Sequence, residues 1–336
     1  MHQDLPEAQL RTHRSELVEP SDFDDFWART LRDAAVHDPT PEVRRLATPL
    51  ANLTVSDVVF PGFGGHPIRA WYRRPATAEP LPVLVSYVGY GGGRGHWSEN
   101  LLAASAGFAH LHVDTRGQGA GWSRGDTPDP VGTGPRHPGV MTQGIEDPET
   151  YYYRRFLTDA VRAVDAAQRL PGVDPERVGV VGQSQGGAAA LAVAGLRRDL
   201  TAVVAQVPFL CDIARAVVIT DDRPYREVAD YLAIHRDRGE AALRTLSYVD
   251  GVAFARRATA PARFSVALMD TITPPSTVFA AHNEYAGPTE LDVWRWNGHE
   301  AGGPDDDEAA LRFLERHLRP ADSTSTPALT TTREQP

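Results

Sequence analysis

The 336-residue chain has a single cysteine, no net positive charge and no long apolar run. Cys211 is its only cysteine, so an intrachain disulfide cannot form. The formal net charge of −10 disfavours binding to nucleic acid or to an anionic membrane surface. No apolar run approaches the ~20 residues that cross a bilayer, and the start MHQDLPEAQLRTHR is too charged for a signal peptide. These absences predict a cytoplasmic protein with no nucleic-acid partner and no membrane partner.

What the chain does have is enough apolar residues, 41%, for one large core. Ser21 and Asp24 have capping-box spacing ahead of a helix whose aromatic residues repeat along one face. Strand-like runs follow at 53–60, 67–73 and 82–88, and from there strands alternate with helices. Such alternation predicts an α/β fold with a mostly parallel central sheet covered by helices.

The domain organisation has one interruption and one tail. Residues 212–257 form a charged, mostly helical stretch that interrupts the alternation, which indicates an insertion. Residues 319–336 are rich in Ser, Thr and Pro and have no apolar periodicity, so we expect a disordered tail. The prediction is a catalytic domain over 1–318 with a helical insertion at about 212–257.

The first chemical signal is the segment Gly182-Gln183-Ser184-Gln185-Gly186, which joins an apolar strand to an Ala-rich helix. A nucleophile elbow requires this context, because its serine lies in a strained turn and the small flanking residues allow strand and helix to approach closely. Gly-x-Ser-x-Gly also arises by chance in a chain with 29 glycines. The position between strand and helix favours Ser184 as a nucleophile.

A nucleophilic serine needs a histidine base and an acid, which in this fold follow it in the order acid, then histidine. Asp270 ends the predicted strand 263–269, and His299 follows the predicted strand 290–296. Taken singly, such an Asp is more often a turn residue and such a His a surface or core residue. The order and the strand-end positions of all three predict a Ser184, Asp270, His299 triad.

Several segments together carry a family resemblance. They are Gly89–Gly95, Asp114–Gly119, Gly182–Gly187, Met269–Pro275 and His299-Glu300. Over roughly residues 1–318 the chain resembles the acetyl xylan esterase and cephalosporin C deacetylase family of α/β-hydrolases, carbohydrate esterase family seven. The resemblance implies the same triad and an oxyanion hole made by the backbone amides of Tyr90 and Gln185. Many members carry a His where this chain has Val88.

The resemblance also implies an activity and an assembly. The activity is removal of O-acetyl groups from acetylated xylo-oligosaccharides, cephalosporin C and aryl acetates, with no cofactor and no metal. The implied assembly is a homo-hexamer whose active sites face an internal cavity. Two alternatives remain: a broad carboxylesterase or peptidase of the same fold, and a non-catalytic binding module.

Other features have a chemical and a structural interpretation. The loop 89–95 fails the dinucleotide fingerprint in every register, so a backbone oxyanion donor is the better use. The Tyr90 side chain either covers the acetyl pocket or packs in the core. Arg116 and Gln118 are interpreted as a brace. His110 and His112 share one face of a strand and are better explained as packed residues than as metal ligands, and Cys211 as a small buried residue.

Overall fold

The computed structural model describes residues 4–131 and 139–319. Apolar alternation along the strands builds one nine-stranded sheet. In chain order the strands are β1 (Glu42–Arg45), β2 (Leu53–Pro61), β3 (Pro67–Pro75), β4 (Leu81–Tyr87), β5 (Ala109–Val113), β6 (Val173–Gln183), β7 (Ala202–Gln206), β8 (Ala262–Ala267) and β9 (Thr289–Trp294).

The sheet has an antiparallel side and a larger parallel side. Its order is β1-β2-β3-β5-β4-β6-β7-β8-β9. The β1/β2, β2/β3 and β3/β5 pairs are antiparallel, and every pair from β5/β4 to β8/β9 is parallel. The carboxyl ends of six parallel strands therefore meet at one edge, where sites form in such sheets. The predicted mostly parallel α/β fold is confirmed.

Helices cover both faces of this sheet. They are α1 (Glu7–Leu10), α2 (Phe23–Ala34), α3 (Leu102–Ser105), α4 (Tyr152–Ala167), α5 (Gln185–Leu196), α6 (Ile213–Ile219), α7 (Tyr225–Ile234), α8 (Gly239–Ser247), α9 (Gly251–Ala255), α10 (Pro275–Asn283) and α11 (Pro304–Leu318), with a 3-10 turn at Phe63–Gly65. Val83 and Val85 of β4 belong to the main core with α4 and α5, whereas Leu84 packs on the opposite face with α11.

Two local predictions differ from the structure, and one strand was not predicted. Asp22, not Ser21, is the N-cap residue of α2, and its side chain makes no capping hydrogen bond, so the predicted capping box is wrong. The helix expected after Trp97 is reduced to the single turn α3. β1 was not predicted, because all four of its residues are exposed and it has no apolar alternation.

The region predicted as an insertion contains α6 to α9, which lie between β7 and β8. The predicted tail, from residue 320 onward, lies outside the described residues. No helix in the described part of the chain is both long and apolar enough to span a membrane.

Candidate active site

Ser184 occupies the sharp turn between β6 and α5. Its backbone has φ 56° and ψ −120°, a strained conformation for a residue with a side chain. A Cβ on Gly182 would come within 2.2 Å of the Gly186 backbone, and one on Gly186 within 2.2 Å of the Tyr87 carbonyl oxygen. The two glycines therefore permit the close strand–helix approach that this turn needs. The Ser184 amide donates to the Gln206 carbonyl at 2.9 Å, which fixes the turn to β7.

Asp270 and His299 lie together at the carboxyl ends of β8 and β9. His299 Nδ1 is 2.8 Å from Asp270 Oδ2. The Asp270 side chain is fully buried, whereas that of His299 is 26% exposed. A buried carboxylate on one ring nitrogen holds the imidazole in one orientation and leaves the other nitrogen to accept a proton.

Residues of the turn after Asp270 hold its carboxylate. The backbone amides of Ile272 and Thr273 donate to Oδ1 at 2.8 and 3.0 Å, and the Thr273 hydroxyl donates to Oδ2 at 2.7 Å. Thr273 Oγ1 also lies 3.4 Å from His299 Nδ1. Thr273 was not predicted as a site residue, although an Asp followed three positions later by a Thr is a recognisable turn pattern.

Ser184 and His299 line the same cavity, whose volume is about 870 Å³. Val88, Tyr90, Trp122 and Ile272 contribute apolar surface to the cavity wall. Glu300, the other carboxylate beside His299, accepts hydrogen bonds from the Asn297 side chain and the Gly298 amide. These bonds tie Glu300 to its own loop. Asp270 is therefore the carboxylate bonded to the histidine.

The two predicted oxyanion donors come from the first turn of α5 and from the loop after β4. Gln185 is the first residue of α5, so its amide has no acceptor within the helix. Tyr90 lies in the loop after β4 and lines the cavity. Gln118 connects the two positions, because its Oε1 accepts from the Gly91 amide at 2.6 Å and its Nε2 donates to Gln185 Oε1 at 2.9 Å.

The Gln185 side chain is completely buried and has further partners. Its Nε2 donates to the Val88 carbonyl at 3.2 Å, and its Oε1 accepts from the Tyr153 hydroxyl at 3.1 Å. Tyr151, Tyr152 and Tyr153 are buried side chains that pack at the start of α4. Gln185 therefore links α5 to the β4 loop and α4, which keeps its amide at a fixed position.

Arg116 stabilises the turn after β5 that contains Gln118. Its fully buried guanidinium donates to both carboxylate oxygens of Asp159 on α4, at 2.5 and 2.7 Å, and to Asp129 at 3.2 Å. The paired hydrogen bonds fix the turn that contains Gln118. Arg116 is absent from the residues that line the cavity, in keeping with its interpretation as a brace.

Comparison with known proteins identifies the family. The family model described as acetyl xylan esterase (AXE1) matches residues 1–317. The chain belongs to the acetyl xylan esterase family. Members of this family are carboxylic ester hydrolases that remove acetyl groups, and the family predicted from the sequence motifs is confirmed.

Solved acetyl xylan esterases share the whole fold. One from a Paenibacillus species is 39% identical, with a TM-score of 0.89, and the match covers 94% of this chain and all of that one. One from a Thermoanaerobacterium species is 32% identical, with a TM-score of 0.85 and the same coverages. The acetyl esterase Axe7A of Xylanibacter ruminicola is 28% identical over 287 residues, which is 83% of this chain and 63% of that relative's length.

More distant α/β-hydrolases share the fold alone. An acylaminoacyl peptidase of Pyrococcus horikoshii is 17% identical, with a TM-score of 0.59 over 82% of this chain and 44% of its own.

The Tyr90 ring packs against Phe209 in the core, and Tyr90 also lines the cavity. That Tyr90 covers the acetyl pocket stays a prediction.

Glu227, which was not predicted from the sequence, binds the Tyr90 hydroxyl. The Tyr90 hydroxyl donates to both oxygens of Glu227 at 2.9 Å and accepts from the Val140 amide at 2.7 Å. Burial, reinforced by the Glu227 charge, raises the pKa of the Tyr90 hydroxyl well above its ordinary value, so the group remains a donor. Glu227 lies on α7, which is 137 residues from Tyr90, so no local pattern indicates the contact.

Cys211, His110 and His112, the other chemically reactive residues considered, are buried. Cys211 is buried, and burial raises the pKa of its thiol well above the ordinary value, which is unfavourable for a second nucleophile. No group of three or more His, Cys, Asp or Glu side chains within residues 4–131 and 139–319 is arranged to hold a metal ion. His110 and His112 are buried with their rings 5.7 Å apart, as expected for one strand face.

Proposed function

We propose that the chain is a serine esterase in which Ser184 is the nucleophile, His299 the general base and Asp270 the residue that orients the base. The observation that carries this proposal is the 2.8 Å contact between His299 and buried Asp270 on the wall of the cavity that contains the strained Ser184 turn. A serine hydroxyl is a weak nucleophile at neutral pH unless a neighbouring base takes its proton.

The reaction has two halves. Ser184 Oγ attacks the acetyl carbonyl carbon while its proton passes to His299, and the carbonyl oxygen becomes an anion that accepts from the amides of Tyr90 and Gln185. When the ester bond to the alcohol breaks, the alcohol oxygen takes the proton from His299. Water then attacks the acetyl-serine with His299 as base, and acetate leaves as Ser184 regains its proton.

The proposed substrates are small acetyl esters: acetylated xylo-oligosaccharides, cephalosporin C and aryl acetates. A cavity of about 870 Å³ is within the range of small-molecule sites. Rates of acid release from 4-nitrophenyl acetate, the matching butyrate and an acetanilide test the reaction class. A clear preference for acetate supports the proposal, whereas comparable butyrate cleavage indicates a broad carboxylesterase and anilide cleavage a peptidase.

The alternative to an enzyme is a non-catalytic binding module of the same fold. In such a protein the Ser184 turn and the Asp270–His299 contact would be present but would have no catalytic role. Pure protein that releases no 4-nitrophenol from 4-nitrophenyl acetate, at any pH from 6 to 9, would favour this alternative. The proposal expects saturable release without added metal or organic cofactor.

The proposed unit is one catalytic domain over residues 1–318 with a helical insertion at about 212–257, and the proposed assembly is a hexamer. Support for contacts between copies comes from exposed apolar side chains on and near that insertion. They are Val18, Val218, Ile219, Ile234 and Leu243.

The cytoplasm remains the proposed location, in keeping with one cysteine in 336 residues, and fractionation of source cells tests it.

A further inference from the structure

The active-site cavity continues beyond the residues that the proposed reaction uses. Its lining combines apolar side chains, such as Val88, Trp122 and Ile272, with a polar part that includes Glu99, Asn100 and His112. An acetyl group needs only a small apolar part of such a cavity. The polar part is available to whatever is attached through the ester oxygen, which is the alcohol portion of the substrate.

Sheet geometry gives the separation of the two parts. In the sheet order, β5 and β6 lie on either side of β4, and Ser86 of β4 is level with both His112 and Val181. Two strand spacings separate β5 from β6, roughly 10 Å at about 4.8 Å each. His112 therefore lies roughly 10 Å across the sheet from the strand that leads into Ser184.

A chain of hydrogen bonds forms the floor of this polar part of the cavity. Ser86 Oγ lies 2.7 Å from His110 Nε2 and 2.7 Å from His112 Nδ1, and Asn100 Nδ2 lies 3.3 Å from His112 Nε2. Burial, with Arg73 and Arg94 nearby, lowers the pKa of His112 to about 3, so its ring is neutral at physiological pH. Each neutral imidazole has one donor and one acceptor, so the chain sets which group faces Asn100.

The Asn100 side chain stands at the outer end of this chain. Its backbone φ of 53° is a left-handed conformation that asparagine tolerates better than most residues. Among the described residues, no hydrogen bond reaches the Asn100 side-chain oxygen, although its nitrogen contacts His112. Glu99 beside it has one carboxylate oxygen bonded to the His96 amide. Asn100 and Glu99 together offer acceptors and a donor to the cavity.

Packing alone does not account for this cluster. On the same face of the sheet as Ser86, the preceding β4 residue is Leu84, which is buried and apolar. Burying polar groups costs free energy that hydrogen bonding only recovers, so apolar residues at 86, 110 and 112 would build the same sheet more simply. The nitrogen His110 Nδ1 has no partner among the described residues and adds to this cost.

From this geometry we infer that Asn100, held by the Ser86–His112 floor, binds the hydroxyl groups of a sugar alcohol and so sets the alcohol-side preference of the esterase. A hydroxyl both donates and accepts, and a neighbouring carboxylate and amide can satisfy both functions. The inference rests on the proposed acetyl esterase function and assigns recognition of the alcohol side of the substrate to Asn100. Asn100 is a binding residue here, and His112 positions it.

The test compares two acetyl esters on the full chain. The probes are mono-acetylated xylobiose and 4-nitrophenyl acetate, whose leaving group has no hydroxyl neighbour. Asn100→Gly removes the side-chain amide while the backbone can keep its left-handed conformation. The ratio of kcat/KM for the sugar ester to kcat/KM for the aryl ester should then fall about tenfold, mainly through a higher KM for the sugar ester. A change of this size is expected for the loss of one or two hydrogen bonds. Unacetylated xylobiose should also inhibit this variant more weakly than the wild type.

The matched control is Leu102→Ala, an exposed side chain two positions along that is not among the cavity-lining residues. It should leave the ratio unchanged. Equal loss of both activities in Asn100→Gly, or an unchanged ratio and inhibition constant, would overturn the inference while the esterase proposal stands. Wild-type protein that cleaves neither ester would overturn the proposed function, and this inference with it.

Discussion

At the residue scale, the environment of Asp270 explains how an ordinary turn residue becomes part of a site. Two backbone amides and one hydroxyl donate to its buried carboxylate, which fixes the orientation of that carboxylate toward His299. Asp270→Asn keeps the size but removes the charge and can stabilise the wrong imidazole tautomer. We expect kcat for 4-nitrophenyl acetate to fall by roughly 10⁴ with little change in melting temperature.

Glu300→Gln is the control for that variant, because Glu300 adjoins the same histidine but bonds only to its own loop in the contacts described above. Its kcat should remain within about threefold of wild type. If Glu300→Gln lost activity and Asp270→Asn kept it, the acid would have been assigned to the wrong residue.

At the element scale, the contact between α7 and the loop after β4 extends the active site beyond the sheet edge. Glu227→Gln weakens the acceptor for the Tyr90 hydroxyl, so the Tyr90 amide should be positioned less well. We expect kcat to drop about tenfold with KM within twofold. Tyr90→Phe and the double variant complete a cycle, and the two effects should not add. Strictly additive losses would indicate that Glu227 does not act through Tyr90.

Arg116 joins the β5 turn to α4 through a buried ion pair with Asp159. Arg116→Leu should lower the free energy of unfolding by ~3 to 5 kcal/mol, because it leaves the Asp159 carboxylate buried without its partner. Urea unfolding followed by circular dichroism measures this change. Arg312→Ala, which breaks the exposed pair with Glu308, is the comparison and should cost less than ~1 kcal/mol. Similar losses in both variants would contradict a bracing role for Arg116.

Elements with strong local patterns were predictable from sequence, and those defined by tertiary contacts were not. The β6–turn–α5 segment carries its own signature, because Gly182 and Gly186 are needed at fixed positions. Thr273 and Glu227 were missed, because Thr273 acts through turn geometry and Glu227 through a partner far along the chain. The edge strand β1 has no buried face, so nothing in its residues distinguishes it from a loop.

At the scale of the whole molecule, the proposed hexamer would place exposed apolar side chains of the insertion region in contacts between copies. Val218 is 83% exposed and Ile234 72% exposed, which is unfavourable in an isolated chain. Size-exclusion chromatography with light scattering should give a mass about six times 36.6 kDa. Acetate release from oligomeric acetylxylan should exceed release from the polymer. A monomer that deacetylates the polymer as fast as the oligomers would contradict both expectations.

The central claim is that acetyl transfer passes through Ser184. The direct measurement is labelling of the intact protein with a fluorophosphonate ester, followed by peptide mass spectrometry and a parallel assay of 4-nitrophenyl acetate hydrolysis. The proposed mechanism predicts one adduct per chain, on the peptide that contains Ser184, with activity lost in proportion to labelling, and no adduct in Ser184→Ala. Full activity in Ser184→Ala, or an inactivating adduct on another residue while Ser184 is unmodified, would contradict it.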